Sequence, residues 1–92
     1  MARLLTVDEL RTLPECSVLW EEIQDEDYPE VEVKPYPVEL ECVRMKKLPN
    51  GETAEACIYS AGHDLIREYN VWFRLWTAKP TREQRKAAKW DG

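Results

Sequence analysis

Cys57 and His63 are the residues of this sequence best suited to nucleophilic chemistry, and Asp64 follows the histidine directly. A histidine can take the proton of a nearby thiol, and a turn between the two positions would bring them together. The sequence has no glycine-rich phosphate loop, no nucleophile elbow and no paired carboxylates around a recognisable cleft. We therefore predict that the protein is not an enzyme, with His63 as an ordinary turn residue.

The sequence has three cysteines, Cys16, Cys42 and Cys57. Because their number is odd and they are widely spaced, they give little support for a disulfide framework. A four-ligand zinc site would need all three cysteines together with His63, without any local C-x-x-C pair. We expect Cys42 and Cys57 to act as small hydrophobic residues in strands, and Cys16 to lie in a loop. The sequence predicts neither a metal nor a cofactor.

Acidic residues are concentrated in the first half of the chain. Residues 1–45 contain 12 acidic and 4 basic side chains, net −8, whereas residues 46–92 contain 6 acidic and 9 basic side chains, net +3. One acidic cluster could imitate a phosphate track and occupy a basic surface of another protein. The alternative is that these residues form a solvated loop and an edge strand whose charge prevents aggregation. The cluster does not have the pattern of a calcium-binding loop. The cluster consists of Glu21, Glu22, Asp25, Glu26, Asp27, Glu30 and Glu32.

Trp72, Arg74 and Trp76 occupy every second position of a predicted strand, which places their side chains in a row about 7 Å apart. An exposed row of this kind could stack on a nucleobase, a nucleotide or a side chain of a partner. The alternative is that the row packs beneath the C-terminal helix, with Trp90 covering it and Arg74 reaching an acidic neighbour.

Two helices are indicated by capping signals near the ends of the chain. Thr6 and Glu9 have the spacing of a capping box, and Pro14 prevents the first helix from continuing. Thr81 and Gln84 repeat the same spacing before the second helix. The predicted helices cover residues 7–13 and 82–89.

Between the helices, apolar and polar residues alternate as they do in strands, and Asn50-Gly51 predicts a type I′ hairpin turn. We predict one α+β domain over residues 1–92, with a short helix at each end and an antiparallel sheet of four to five strands. A half-open small barrel is one form that this sheet could take. The predicted strands are 17–23, 31–34 (an edge strand), 38–45, 53–60 and 69–77, with a turn at 61–64.

Both ends of the chain resemble small uncharacterised proteins from phages and prophages of Gram-positive bacteria. The similar segments are LLTVDEL at residues 4–10, Leu13-Pro14, the run VLWE at 18–21, and WFRLWTAKPTREQRKAAKWD at 72–91. The C-terminal segment has the pattern W-x-x-x-P-T-x-E-Q-R-x-x-x-x-W. The resemblance implies a phage or prophage origin and a host-cytosol setting, with no activity and no catalytic residues to carry over. Because small phage proteins often bind host proteins, including defence proteins, it favours an inhibitor or adaptor.

These observations together predict a non-enzymatic protein-binding module, a modulator or inhibitor of a host or defence protein that acts through the acidic cluster on a basic partner surface. The alternative function is a small-ligand or single-stranded nucleic-acid binder built on the Trp72 row. Direct nucleic-acid binding is not expected, because the pI is about 4.9 and one short segment is basic. The absence of long apolar runs and of a leader predicts a cytoplasmic protein without membrane contact. Monomer and homodimer both remain open.

Overall fold

The computed structural model describes residues 1–24, 27 and 30–91. A helix lies near each end of the chain, and five strands lie between the two helices. A 3-10 turn, Ile66–Glu68, separates the last two strands. The elements are α1 (Val7–Thr12), β1 (Ser17–Ile23), β2 (Tyr36–Lys47), β3 (Thr53–Tyr59), β4 (Gly62–Leu65), β5 (Phe73–Trp76) and α2 (Arg82–Ala87).

Helix α1 begins at the predicted capping box. The hydroxyl of Thr6 accepts a hydrogen bond from the Glu9 amide at 3.2 Å, and the Glu9 carboxylate accepts one from the Thr6 amide at 3.0 Å. These bonds satisfy two amides that a helix start otherwise leaves without a partner. The helix ends at Thr12, one residue before the predicted end, because Leu13 already has an extended backbone.

We expect Thr6→Ala to lower the free energy of unfolding by about 1 kcal/mol, because the Glu9 amide loses its acceptor. Thr6→Ser retains the hydroxyl and serves as the matched control, with a smaller loss. Urea denaturation of the three proteins measures the difference. Equal loss in both variants would show that the methyl group of Thr6, rather than the cap, stabilises this region.

Helix α2 has the second predicted capping box. The Thr81 hydroxyl accepts from the Gln84 amide at 3.1 Å, and the Gln84 side chain accepts from the Thr81 amide at 2.8 Å. The helix ends at Ala87 rather than at residue 89, because Ala88 is extended. The side-chain amide of Gln84 also donates to the carbonyl of Ala2 at 3.0 Å, which connects α2 to the start of the chain.

The five strands form one antiparallel sheet in the order β4-β3-β2-β1-β5. Strands β4 and β5 lie at opposite edges, so the sheet is open rather than closed into a barrel. The N-terminal segment pairs with the outer edge of β5, where the Leu5 amide donates to the Leu75 carbonyl and the Thr77 amide to the Arg3 carbonyl. The predicted α+β class, with a short helix at each end, is confirmed.

The two faces of the sheet are covered by different elements of the chain. Leu19 of β1 and Phe73 and Leu75 of β5 point to one side, where they pack with Leu10 of α1 in the hydrophobic core. We call this side the core face and the opposite side the outer face. Helix α2 lies on the outer face beside β1 and β5, where the carbonyls of Arg85 and Ala88 at its end accept hydrogen bonds from Arg74.

Residues 31–34 do not form the predicted edge strand. They run as an irregular segment beside α2, where Arg85 donates to the Val33 carbonyl at 3.0 Å and to the Glu32 carboxylate at 3.0 Å. Pro35 follows at once and has no amide hydrogen for a strand partner. A side chain from α2 therefore provides hydrogen bonds that a neighbouring strand was expected to provide.

Strands β2 and β3 form the predicted hairpin, but the turn type is different. The Gly51 amide donates to the Leu48 carbonyl at 2.9 Å, and Gly51 has a φ of 88° whereas Asn50 has no positive φ. A type I′ turn requires a positive φ at both central residues, so that prediction is wrong. Pro49 favours the ordinary right-handed conformation at the first central position, and Gly51 then takes the left-handed one.

A shift of register in β2 changes which side chains face the core. The pairing with β3 is irregular between Leu40 and Cys42, and Val43 lies opposite Cys57. Leu40 is therefore buried while Cys42 is exposed, so Cys42 lies in a strand, as predicted, but does not act as a buried hydrophobic residue. The extra residue of the bulge reverses the alternation beyond it. Cys57 is buried in β3, as predicted.

The reversal after β3 is tighter than predicted. Tyr59 of β3 pairs with Gly62 of β4, so only Ser60 and Ala61 lie between the strands. Residues 62–64 belong to β4, and the prediction of a turn over residues 61–64 is wrong. This places Asp64 in the sheet, opposite Cys57.

Candidate functional site

The predicted acidic cluster is divided between the two faces of the sheet. Glu21 and Glu22 are each only 4% exposed, and because they are consecutive residues of β1 they point to opposite faces. Neither can contact a partner protein in the way the hypothesis requires. For the others, Asp25 and Glu26 lie outside the described residues, and Asp27, Glu30 and Glu32 are exposed.

Glu22 points to the outer face and is enclosed by cations. Its carboxylate accepts from Arg74 Nε at 2.7 Å, from Trp76 Nε1 at 2.9 Å and from Arg85 Nε at 3.1 Å. Burial acts to raise the pKa of Glu22, but the hydrogen bonds from Arg74 and Trp76 outweigh it and hold this pKa below its ordinary value. The carboxylate therefore stays charged and connects β1, β5 and α2.

Arg74 has no exposed surface. It donates to the carbonyls of Ala88 at 2.9 Å and of Arg85 at 3.1 Å, and its guanidinium lies 4.0 Å from the ring centre of Trp90. The last carbonyls of a short helix need such donors, because they have no partner within the helix. This is the packed arrangement that the sequence offered as the alternative to a stacking platform.

The predicted row of Trp72, Arg74 and Trp76 does not form on one strand. Strand β5 covers only Phe73–Trp76, and Trp72 lies in the turn before it, because Asn70 has a left-handed φ of 60°. Trp76 is 3% exposed and therefore cannot stack on a ligand. The strand prediction over residues 69–77 is correct only for its second half.

Glu21 points to the core face and lines a cleft of about 250 Å³ with Tyr36, Tyr59 and Asp64. We call this the Glu21 cleft; Val38 and the beginning of β4 complete its wall. Tyr36 donates a hydrogen bond to Glu21 at 2.6 Å, and Tyr59 donates to the other carboxylate oxygen at 3.4 Å. Strands β1, β2, β3 and β4 thus each contribute one polar side chain.

Burial and the neighbouring Asp64 carboxylate raise the pKa of Glu21 from 4.5 to about 8, although the hydrogen bonds from Tyr36 and Tyr59 oppose the shift. Burial also raises the pKa values of both tyrosines above their ordinary value of 10, and the Glu21 charge acts in the same direction. Titratable groups with strongly shifted pKa values in a cleft mark candidate functional sites.

The structure does not assemble the nucleophile–base pair considered from the sequence. Cys57 lies opposite Asp64 in the β3–β4 pairing, whereas His63 lies opposite Ile58, so the two side chains leave their strands on opposite faces. Burial raises the pKa of the Cys57 thiol to about 12. A thiol of this kind stays protonated at neutral pH, and the thiolate is the nucleophile.

A second surface consists of exposed residues where β1 pairs with β2 and of one residue just before β1. Val18 is 65% exposed and pairs with Glu39 of β2, which is also exposed. The Glu39 carboxylate raises the pKa of the nearby Cys16 thiol, and Glu15 and Glu41 act in the same direction. We call Val18, Glu15, Glu39 and Glu41 the outer patch.

Neither surface was recognised from the sequence, although one signal was present. In strand β1, Glu21 alternates with Leu19 and Ile23, and this alternation alone places it among core-facing residues. No local pattern indicates that Tyr36 and Tyr59 meet it, because they come from strands 15 and 38 residues further along the chain.

The fold and these surfaces define a small α+β protein with an open five-stranded antiparallel sheet, one acidic cleft and one acidic exposed patch. No protein-family model matches the chain, and no curated protein or solved structure is significantly similar to it. Within the described part of the chain, no group of three or more His, Cys, Asp or Glu residues is arranged to hold a metal ion. None of the described helices has the length and apolar character to span a membrane.

Proposed function

We propose that this protein is a non-enzymatic protein-binding module and that the outer patch is its docking surface. The observation that carries the proposal is Val18, an apolar side chain 65% exposed on β1, a strand with a neighbour on each side. Glu39 is paired opposite it in β2, and Glu15 and Glu41 lie near Cys16, two residues before Val18. An apolar centre with a charged rim is the usual arrangement of a protein interface.

Charge determines the kind of partner that fits the outer patch. Glu15, Glu39 and Glu41 lie close enough together to act on the same thiol, that of Cys16. A partner with a basic surface would gain electrostatic attraction and a faster association rate, both weakened by salt. The chain's net charge of −5 favours the same partner.

The resemblance of both chain ends to phage and prophage proteins suggests where such a partner would be found. On this proposal the partner is a host protein of the bacterial cytoplasm, including a component of a defence system, and binding modulates or inhibits it. The docking surface differs from the one first predicted, because Glu21 and Glu22 are buried. Asp27, Glu30 and Glu32 are left outside the proposed surface.

The experiment is affinity capture of the tagged protein from a Gram-positive bacterial lysate at low and high salt, with the bound proteins identified. We expect the wild type to retain a protein with a basic surface and to lose it at high salt. Val18→Lys and Glu39→Lys should each reduce the retained amount at least tenfold, because both place a positive charge at the centre of the outer patch. Both side chains are exposed, so the fold should tolerate either change.

Glu52→Lys is the matched control for these variants. Glu52 is exposed next to the β2–β3 turn, so the variant has the same change of net charge as Glu39→Lys, and a larger one than Val18→Lys, at a position away from the outer patch. It should retain the partner as the wild type does. Equal capture by all four proteins, or no captured protein in any of them, would contradict the proposal.

A further inference from the structure

Two of the three cysteines meet in one small cleft, although a strand and a long connection separate them in the chain. The cleft has a volume of about 250 Å³ and is lined by Glu15, Cys16, Glu41 and Cys42. Both cysteines are exposed and both thiols are free. We propose that Cys16 and Cys42 form a redox site, a dithiol that a small disulfide oxidant converts into an intramolecular disulfide bond. This chemistry does not rest on the proposed docking function.

The first argument is the pairing of β1 with β2. Ser17, the first residue of β1, lies opposite Leu40 of β2. One step further along the two chains, Cys16 comes beside Glu41, and Cys42 is the next residue. Adjacent strands lie about 4.8 Å apart and rise about 3.3 Å per residue, so residues one step apart on the diagonal have Cα atoms about 6 Å from each other. Disulfide bonds join cysteines whose Cα atoms are about 4.4–6.8 Å apart.

The second argument is the direction of the Cys42 side chain. In a regular strand it would point to the same side as the buried Leu40, which lies two residues earlier. The irregular pairing of β2 with β3 between these two residues adds one residue to β2, and Cys42 is exposed. A bulge re-aims a side chain in this way. Cys42 therefore reaches the cleft that Cys16 lines from the beginning of the neighbouring strand.

The third argument is the backbone of Cys16. Its φ is 62°, in the left-handed region that residues with a side chain rarely adopt. Among the described residues other than glycine, Asn70 is the one other case, and asparagine tolerates this region. Such a conformation persists where the surrounding structure enforces it, and it is concentrated at functional sites. At Cys16 it holds the thiol at the end of β1, beside β2.

The bond forms by thiol–disulfide exchange. The thiolate of one cysteine attacks a small disulfide, RSSR, which gives a mixed disulfide and releases one RS⁻. The thiolate of the second cysteine attacks the protein sulfur of the mixed disulfide, forms the Cys16–Cys42 bond and releases the second RS⁻. The two cysteine sulfurs are oxidised, the two oxidant sulfurs are reduced, and the two thiol protons end on two RSH. Because Glu39 lies beside the Cys16 thiol, a neutral oxidant fits this site better than an anionic one.

The experiment is oxidation of the reduced full chain by 2-hydroxyethyl disulfide, a neutral oxidant, followed by denaturation, alkylation of the remaining thiols and mass spectrometry. We expect the wild type to lose two of its three thiols and to become about 2 Da lighter as a monomer. A peptide digest should contain Cys16 linked to Cys42. Cys16→Ser and Cys42→Ser should each accumulate a mixed disulfide instead, because the second thiol is missing. Both positions are exposed, so the fold should tolerate either change.

Cys57→Ala is the matched control. Cys57 is buried and burial raises the pKa of its thiol to about 12, so it should not react, and the variant should lose both remaining thiols as the wild type loses two. Should this variant not fold, the digest of the wild type identifies the linked residues. A bond that includes Cys57, a bond between two copies of the chain, or mixed disulfides on both exposed cysteines without the internal bond would overturn the proposal.

Equilibration with a dithiothreitol redox buffer, with and without concentrated urea, shows whether the fold brings the two thiols together. We expect the native chain to favour the disulfide over the dithiol by about tenfold or more relative to the unfolded chain, because the fold holds the two sulfurs close. By linkage the bond then favours the folded state by the same factor, so the oxidised protein should have the higher urea midpoint. Equal disulfide formation in the native and unfolded chains would refute the site.

Discussion

Replacement of Arg74 by methionine is expected to lower the free energy of unfolding by about 3–5 kcal/mol. The change removes the 2.7 Å hydrogen bond to Glu22 and leaves that buried carboxylate with one fewer cation. It also removes the donors to the carbonyls of Arg85 and Ala88 at the end of α2. A buried polar group that loses its partner costs more than the bond itself contributed.

Chemical denaturation of wild type, Arg74→Met, Glu22→Gln and the double variant gives the coupling energy of the pair. The double variant should be more stable than Arg74→Met, because the neutral amide at position 22 needs no cation. Arg67→Met is the control, since Arg67 is exposed in the 3-10 turn and the change should stay within about 0.5 kcal/mol. A loss below about 1 kcal/mol in Arg74→Met would show that the network contributes little to the fold.

The second large effect is a loss of stability as the pH rises, caused by Glu21. The unfolded carboxyl ionises near pH 4.5, whereas the folded one keeps its proton up to about pH 8. The folded state therefore holds more protons within this window, and its stability is complete below pH 4.5 and declines until about pH 8. One such group gives a slope of at most about 1.4 kcal/mol per pH unit.

Glu21→Gln should remove this slope, because the amide has no proton to lose. It should be less stable than or equal to the wild type at pH 5, and more stable at pH 8.5. Urea denaturation at intervals from pH 5 to 8.5 measures the effect. Glu22 and Glu55 do not change the stability within this range, because their lowered pKa values affect it only below pH 4.5. Cys57 does not change it either, because its raised pKa affects the stability only above pH 9. Parallel curves for the two proteins would refute the assignment.

The local elements of this protein could be predicted from short patterns. The pairs Thr6 with Glu9 and Thr81 with Gln84 define two helix starts, because a cap requires only neighbouring residues. The bounds of β1, Ser17–Ile23, are as predicted. The hairpin of β2 and β3 also follows from a turn residue between two alternating segments.

Errors arose where a distant contact or a single backbone torsion decided the outcome. The 31–34 segment alternates as a strand does, but Arg85 binds its backbone and no strand pairs with it. The left-handed φ of Asn70 separates Trp72 from the strand that carries Arg74 and Trp76. One extra residue in β2 exposes Cys42. The alternation of apolar and polar residues cannot show any of these outcomes, because it indicates a preference for strand structure and not which segment pairs with which.

The sequence by itself determined the α+β class, both helix starts and most strand positions, since hydrophobic period and capping act over a few residues. Only the tertiary structure decided what the acidic residues do. Arg74 lies 52 residues from Glu22 and Arg85 lies 63 residues from it, and their meeting turns a predicted surface charge into an internal connection. Glu21, one position earlier, meets tyrosines and Asp64 instead of arginines. Whether a buried carboxyl group is paired with a cation or keeps its proton depends on which distant side chains the sheet brings beside it.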